Sequence, residues 1–218
     1  MKHWKLYIFI CLGICSCRDS TMLNDNQNTQ SLDKDTTAIP LQSAPDSVFK
    51  LRSVTDIQKA YSDIIKQKES GSLDSTSFKY NCGNEKSGTV SYFSNKTELK
   101  IIIHRYSEYD HYNAEDYYYI QEGKVIFSHR KSITWAFEDG PEGATKDNIT
   151  EQRIYLINEK PLKCLEKKYV IHSKSANNPR SENVQNKEVD CGSLKSVIKP
   201  FEMLTKYQLK APSRCLEE

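Results

Sequence analysis

The fold is decided by residues 114–137, which read AEDYYYIQEGKVIFSHRKSITWAF. Two runs of high strand propensity, 117–120 and 125–127, flank the polar turn 121–124, in which Gly123 can adopt a positive φ. Successive side chains of a strand point to opposite faces, so Tyr117 and Tyr119 are expected on one face and Tyr118 on the other. The stretch therefore predicts a central β-hairpin.

A helix is predicted ahead of the hairpin. Thr55 can cap its N-terminus, Gln58 completes a capping box, and Gly71 ends it. Apolar residues recur at spacings of three and four, which makes one apolar stripe: Ile57, Ala60, Tyr61, Ile64 and Ile65. We expect this stripe to lie on the sheet, with Trp135 and Phe137 buried beneath it.

Short strands are predicted on both sides of the hairpin, at 77–82, 88–93, 98–106, 150–157 and 162–171. Short turns join them, which favours an antiparallel meander, because parallel neighbours would need long crossovers. A closing amphipathic helix is predicted around Leu194 to Leu204. Pro200 should kink it or start a second short helix there. The expected class is α+β, with about six or seven strands, an N-terminal helix packed on them and a C-terminal helix.

The N-terminus is typical of export. Lys2 and Lys5 precede a short apolar run that is too short to span a bilayer, which is the pattern of a signal peptide. The segment Leu12-Gly13-Ile14-Cys15-Ser16-Cys17 resembles the lipobox of bacterial lipoproteins, in which a small residue precedes the lipidated cysteine. We expect a signal peptide over 1–16, lipid on Cys17, a flexible polar tether over 17–50 and one domain over 51–218. An ordinary signal peptide that contains cysteines is the alternative.

Charge argues against a nucleic-acid partner. The chain has 31 basic and 29 acidic residues, so removal of Lys2 and Lys5 with the signal leaves a balance. A nucleic-acid-binding domain normally carries a basic patch or stripe, and no sustained basic run occurs. The expected partners are the membrane, through the lipid on Cys17, and another envelope protein.

Four cysteines follow Cys17, and an even number in an exported chain indicates disulfides. They allow three pairings. We favour Cys191 with Cys215 and Cys82 with Cys164. The competing pairing joins Cys82 to Cys215 and Cys164 to Cys191, which would tie the closing helix to the sheet.

Tyrosines provide the candidate binding surface: Tyr106, Tyr109, Tyr112 and Tyr118. Tyrosine offers a large amphipathic contact area at low entropic cost. The alternative is that these rings only cover the sheet and its edge. Metal-ligand types also occur nearby, at Asp110, His111, Glu115 and Asp116, but their spacing matches no metal motif, and no cofactor is expected.

Motifs of catalysis are absent from the sequence: there is no Gly-x-Ser-x-Gly and no glycine-rich phosphate loop. His104, His129 and His172 lie on or beside separate predicted strands, so their meeting is not predictable. The leading hypothesis is a non-enzymatic, lipid-anchored binding or inhibitor-type protein of the cell envelope, located at the outer membrane. The alternative is a hydrolase of envelope polymers with a site of histidine and carboxylates.

A broader resemblance involves about half of the folded part. It comprises residues 115–127 and the later pattern Arg153-x-Tyr155-Leu156-x-Asn158-x-Lys160-Pro161-Leu162-x-Cys164-Leu165. Together they resemble small uncharacterised lipoproteins of Gram-negative bacteria. The resemblance implies an envelope location and a helix-plus-meander fold, and it implies no activity.

Overall fold

The computed structural model describes residues 50–83 and 85–216. The expected signal peptide, Cys17 and the expected tether up to residue 49 lie outside the described residues. Two α-helices and one short 3-10 helix accompany the strands: α1 is Val54–Glu69, the 3-10 helix is Ser181–Asn183 and α2 is Lys195–Lys206. The strands are β1 Asp74–Asn81, β2 Lys86–Ser94, β3 Leu99–Glu108, β4 Tyr112–Gln121, β5 Lys124–Phe137, β6 Thr145–Ile157, β7 Lys160–His172 and β8 Lys187–Glu188.

The eight strands form one antiparallel sheet in chain order, β1 to β8. The α+β class is therefore confirmed, whereas the expected count of six or seven strands is wrong. The additional strand is β8, whose two residues pair with Leu165 and Glu166 of β7. Both β8 residues are exposed and charged, so no apolar alternation marks the strand in the sequence.

Each face of the sheet has its own apolar core. The face bearing α1 buries Ile57 and Ile64 of the helix against residues of β3 to β6: Ile101, Ile103, Tyr119, Ile126, Phe127 and Tyr155. The opposite face buries Val197 and Leu204 of α2 against another set: Tyr80, Val90, Tyr92, Ile102, Tyr118, Ile120, Val125 and Leu156. Strand alternation creates both sets, because neighbouring residues such as Tyr118 and Tyr119 point to opposite faces.

Ser53, rather than the expected Thr55, caps α1. Its backbone is extended and its Oγ accepts a hydrogen bond from the Asp56 amide at 3.1 Å. Asp56 reaches back in turn, and its Oδ2 accepts a hydrogen bond from the Arg52 amide at 2.9 Å. The cap therefore lies two residues before Thr55, because a serine followed three residues later by an aspartate satisfies the free amides of the first turn.

Trp135 and Phe137 do not lie beneath α1, so that prediction is wrong. The helix instead places Tyr61 on Tyr119 and Phe127, with ring centroids 4.7 and 5.3 Å apart. β5 continues for eight residues beyond Phe127 to Trp135, a distance of about 26 Å at the rise of a strand. The helix covers the start of β5, so the far end of the strand extends beyond it.

Pro200 lies inside a single continuous helix, Lys195–Lys206, and does not divide it. Proline has no amide hydrogen, so the carbonyl of Ser196, four residues earlier, lacks its helical donor. Arg130 of β5 supplies one, since its Nη2 donates to the Ser196 carbonyl oxygen at 3.4 Å. The same guanidinium donates to Asp116 through Nε at 2.6 Å and through Nη2 at 2.9 Å.

The disulfides are Cys82–Cys215 and Cys164–Cys191, with Cα atoms 4.8 and 5.2 Å apart. The favoured pairing is thus wrong, and the second pairing is the one formed. The meander separates β1, which precedes Cys82, from β7, which contains Cys164, by about 29 Å across the sheet. A disulfide requires Cα atoms within about 7 Å. The C-terminal segment instead returns to β1, where the Asn81 amide donates to the Arg214 carbonyl oxygen at 3.0 Å.

Peptide mapping without reduction is expected to recover the fragments joined by these two bonds. Removing Cys82–Cys215 by paired Cys→Ser changes should lower the free energy of unfolding more than removing Cys164–Cys191. The respective losses are about 5 and about 3.5 kcal/mol on the loop-entropy scale, because the loops span 133 and 27 residues. Urea unfolding measures both losses. Recovery of a Cys191–Cys215 peptide would contradict the assigned chain path.

Candidate functional site

The helix α1 leaves part of its own face of the sheet uncovered. We call this part the open face, and it consists of Arg105, Ser107, Asn113, Glu115, Tyr117, His129, Lys131, Ile133 and Arg153. These residues face the same side because the strand register brings them opposite one another across β3 to β6. Unlike the core beneath α1, this part of the face is predominantly polar.

A row of alternating charge crosses the open face. The register places Arg105 opposite Glu115, Glu115 opposite Lys131, Lys131 opposite Glu151, and Glu151 opposite Lys167. Directly opposed residues of opposite charge stabilise a sheet. Arg105 Nε lies 3.5 Å from Glu115 Oε1, and Lys167 Nζ lies 3.3 Å from Glu151 Oε2. The row carries three basic and two acidic side chains, so one positive charge is uncompensated.

Lys131, at the centre of the row, is the cation without a partner. Its ammonium forms no ion pair or hydrogen bond with another residue of the described ranges 50–83 and 85–216. It is half-buried and lines a shallow cavity of about 290 Å³ together with Arg105, Asn113, Glu115 and Ile133. Glu115 and Glu151 are its cross-strand neighbours, yet neither is within ion-pair distance, so the Lys131 ammonium can bind an incoming carboxylate or phosphate.

Glu151 anchors the buried end of the row. Its Oε1 accepts hydrogen bonds from Tyr169 Oη at 2.8 Å and Ser181 Oγ at 2.6 Å. Burial alone would raise the pKa of this carboxyl, but those two hydrogen bonds and the charge of Lys167 lower it to about 2. Lys167 in turn donates to the Ser181 carbonyl oxygen at 2.6 Å. Glu151 and its donors therefore fix the 3-10 helix to the sheet.

His129 lies beside this cluster and is held neutral. Burial lowers the pKa of the imidazole, and the charge of Arg153 lowers it further, against the opposing effect of Glu151. Its Nε2 is 3.5 Å from Glu151 Oε2 but has no hydrogen-bond partner. The ring stacks on Tyr117 at 5.8 Å between centroids. His129 therefore presents an uncharged ring to the open face.

A cleft of about 440 Å³ separates the open face from α1. Aromatic rings make up most of its wall, and His129, Arg153 and Gln58 supply the polar atoms; the rings are Tyr61, Tyr119, Phe127 and Tyr155. Its volume falls within the range of small-molecule sites, and its lining, apolar with a few polar groups, is typical of them. The cleft adds an apolar recess to a charged surface.

The predicted tyrosine surface is not formed as expected. Tyr118 is only 1% exposed and packs against Phe201 of α2, so its assignment to a surface is wrong. Tyr106 and Tyr112 are half-buried on the face that bears α2, with Tyr106 stacked on His104. Tyr109 is 70% exposed in the β3–β4 turn. Strand alternation places Tyr106, Tyr112 and Tyr118 on the side that α2 packs against, because even-numbered residues of β3 and β4 point to that face.

The three histidines considered for catalysis lie apart. His104 is buried and its Nε2 is hydrogen-bonded to Tyr80 Oη at 2.8 Å; burial lowers its pKa to about 3. His172 Nδ1 lies 2.6 Å from Glu138 Oε2 near the end of β7. Within the described ranges, no serine hydroxyl is hydrogen-bonded to a histidine, and the four cysteines there are all in disulfides.

The metal-ligand types around residue 110 are also separated. Asp116 is buried against Arg130 on the face that bears α2, whereas Glu115 belongs to the open face. Groups of three or more His, Cys, Asp or Glu side chains able to hold a metal ion do not occur within residues 50–83 and 85–216.

The sequence analysis did not predict the charge row, although the sequence shows that its members alternate in charge between neighbouring predicted strands. Glu115 and Lys131 each lie in a predicted strand and differ in charge, but strand pairing decides that they are opposed. The register depends on the turns and on the shift between Tyr119 and Ile120, none of which the local pattern fixes.

Comparison with known proteins identifies no relative: no family model, characterised protein or solved structure matches the chain significantly. Among the described residues, none of the helices has the length and apolar character needed to cross a membrane.

The low pKa of Glu151 makes stability depend on pH. Because the carboxyl titrates at a lower pH in the folded chain than in the unfolded one, its contribution is full above about pH 4.5 and is lost as pH falls towards 2. Glu151→Gln should therefore be less stable at pH 7, yet should lose less stability than wild type between pH 4.5 and 2. Urea unfolding across that range measures it. The exposed Glu69→Gln serves as control, and identical pH profiles for all three chains would contradict the assignment.

Proposed function

We propose that this chain is a lipid-anchored protein of the bacterial cell envelope that binds another macromolecule through the open face and does not catalyse a reaction. The main support for this proposal is that Lys131, at the centre of the charge row, forms no ion pair with any described residue, while the sheet holds the row in place. Because five paired strands fix the row, a partner with complementary charge would meet an ordered surface. The two disulfides support the location, because such bonds persist in oxidising compartments.

The anchor is proposed at Cys17, after removal of residues 1–16, and the outer membrane is the proposed membrane. Lipid chains contribute about 0.8 kcal/mol per buried CH₂, so several chains on one cysteine hold a domain stably. Residues 17–50 would then act as a tether of Ser, Thr, Asn and Asp between lipid and domain. The helix-plus-meander architecture is that expected for the uncharacterised lipoproteins that the sequence resembles.

Hydrolysis of envelope polymers is less well supported. His129 and Glu151 are the histidine and carboxylate that approach each other on this face, at 3.5 Å. However, Glu151 is already occupied by Tyr169, Ser181 and Lys167, which leaves little capacity to orient His129 as a base. The nearby Ser181 hydroxyl donates to Glu151, so His129 does not hold it as a nucleophile.

Cys17→Ser is expected to abolish lipid labelling and to move the protein out of the membrane fraction. Cys15→Ser, two residues away, is the matched control and should behave as wild type because bulky Ile14 precedes Cys15. Metabolic labelling with a fatty acid and membrane fractionation measure both variants. Unchanged labelling of Cys17→Ser would refute the anchor.

Lys131→Glu tests the open face. The reversal places three adjacent carboxylates in the row, at residues 115, 131 and 151, and should weaken capture of the natural partner from solubilised membranes about tenfold or more. Quantitative affinity capture compares it with Lys199→Glu, an equal reversal at an exposed position on α2. A circular-dichroism melt confirms that both variants fold.

Equal capture by the two variants would contradict binding through the open face. Turnover of cell-wall polymer by the wild-type chain, lost on His129→Gln, would instead establish the hydrolase.

A further inference from the structure

The end of the sheet farthest from α1 carries exposed aromatic rings. We call Tyr109, His111, Trp135 and Phe137 the aromatic tip. Phe137 is 71% exposed and Tyr109 is 70% exposed, although both are large apolar residues. The rings of His111 and Trp135 are 4.2 Å apart, and Phe137 meets Trp135 edge-on at 5.4 Å. His111, Trp135 and Phe137 form a contiguous group, and Tyr109 lies in the adjoining β3–β4 turn. Contiguous exposed rings mark an interaction site, whereas scattered ones do not.

Hydrogen bonds to main-chain carbonyl oxygens hold Trp135 in place at the tip. Trp135 Nε1 donates to the Asp110 carbonyl oxygen at 2.5 Å, and the Trp135 amide donates to the His111 carbonyl oxygen at 3.1 Å. Phe137 is still paired in the sheet, opposite Thr145. Trp135 has little side-chain entropy left to lose on binding, so its ring can serve as a preformed anchor.

Four carboxylates lie on the strand paired with Trp135 and on the turn and loop that adjoin the rings. Asp147 is the cross-strand partner of Trp135, Asp110 lies in the β3–β4 turn, and Asp139 and Glu142 lie in the loop after Phe137. None of the four forms an ion pair with another residue of the described ranges. The nearby bases Lys146 and His172 lie on the opposite face, because each neighbours a residue that faces Trp135 or Asp147. The tip therefore combines aromatic faces with unpaired negative charge.

The tip lies far from the point where the chain enters the domain. Lys50 and Leu51 adjoin the β4–β5 and β6–β7 turns, where they line a cavity with Gln121, Glu122 and Asn158. β5 runs from that end to the tip over 14 residues, about 43 Å at the rise of a strand.

We propose that the aromatic tip binds a segment of a partner protein that presents lysine or arginine side chains, a class of partner that rests on the proposed function. Cations are attracted to the faces of aromatic rings, most strongly to tryptophan, and the four carboxylates add complementary charge. Negative charge opposes docking on an anionic membrane surface. A second copy of the chain would bring the same carboxylates together. A cationic protein segment is the occupant that the charge favours.

The test uses the full chain with Trp4→Phe, so that Trp135 is its only tryptophan. Hexa-arginine peptide is titrated while Trp135 emission is recorded. We expect a saturable change, and about fivefold or greater weakening in both Phe137→Ser and Asp147→Asn. The matched controls are Leu209→Ser, at a position 96% exposed, and the exposed Glu69→Gln. Both should retain the wild-type affinity.

Three results would overturn the inference: no saturable change with hexa-arginine, equal affinity in the tip variants and their controls, or a response only to vesicles containing phosphatidylglycerol. The experiments distinguish a wrong assignment of the aromatic tip from a wrong proposal for the open face. If Lys131→Glu still loses the partner while the tip variants bind the peptide normally, only the tip is wrong. If the peptide titration succeeds while Lys131→Glu captures normally, binding through the open face is wrong.

Discussion

Two helices are too few to cover both faces of an eight-stranded sheet, and the rest of the structure follows from that shortage. α1 has 16 residues and is about 24 Å long, whereas eight strands span about 34 Å between the outer strands. The two apolar cores therefore lie beneath the helices, and the aromatic tip lies beyond the reach of α1. Elsewhere the strands must present groups that tolerate water, and they do so through opposed charges on the open face. The candidate binding surfaces are thus the parts of the sheet that neither helix covers.

The face that bears α2 contains a buried ion pair, which must be stabilised in apolar surroundings. Asp116 is 2% exposed and is compensated by both nitrogens that Arg130 directs at it. Burying such a pair costs desolvation, which is offset only when the geometry is good and the remaining donors find acceptors. The Ser196 carbonyl is one of those acceptors. It is free because Pro200 has no amide hydrogen to donate to it, and Arg130 donates to it instead. We infer that Asp116, Arg130 and Pro200 together fix α2 on the sheet.

Local pattern predicted the central hairpin, the existence of α1 and the sequential antiparallel strands, because alternation and turn residues are properties of short segments. What depended on long-range geometry was not predictable. The alternation along β5 predicts Trp135 as a core residue, yet α1 covers β5 only near Phe127. Tyr118 reads like its neighbours, yet strand parity places it under α2. The disulfide pairing needed the path of the C-terminal segment, and the charge row around Lys131 needed the register.

Side-chain accessibility tests the unequal coverage of the two faces most directly, and hydroxyl-radical footprinting of the folded chain measures it residue by residue. Phe137 and Tyr109 should be oxidised rapidly and Trp135 at an intermediate rate, while Tyr92 and Tyr118 should be protected until the chain unfolds. Protection of Phe137 together with oxidation of Tyr118 would contradict the account, because it would require the helices to cover the opposite ends of the sheet.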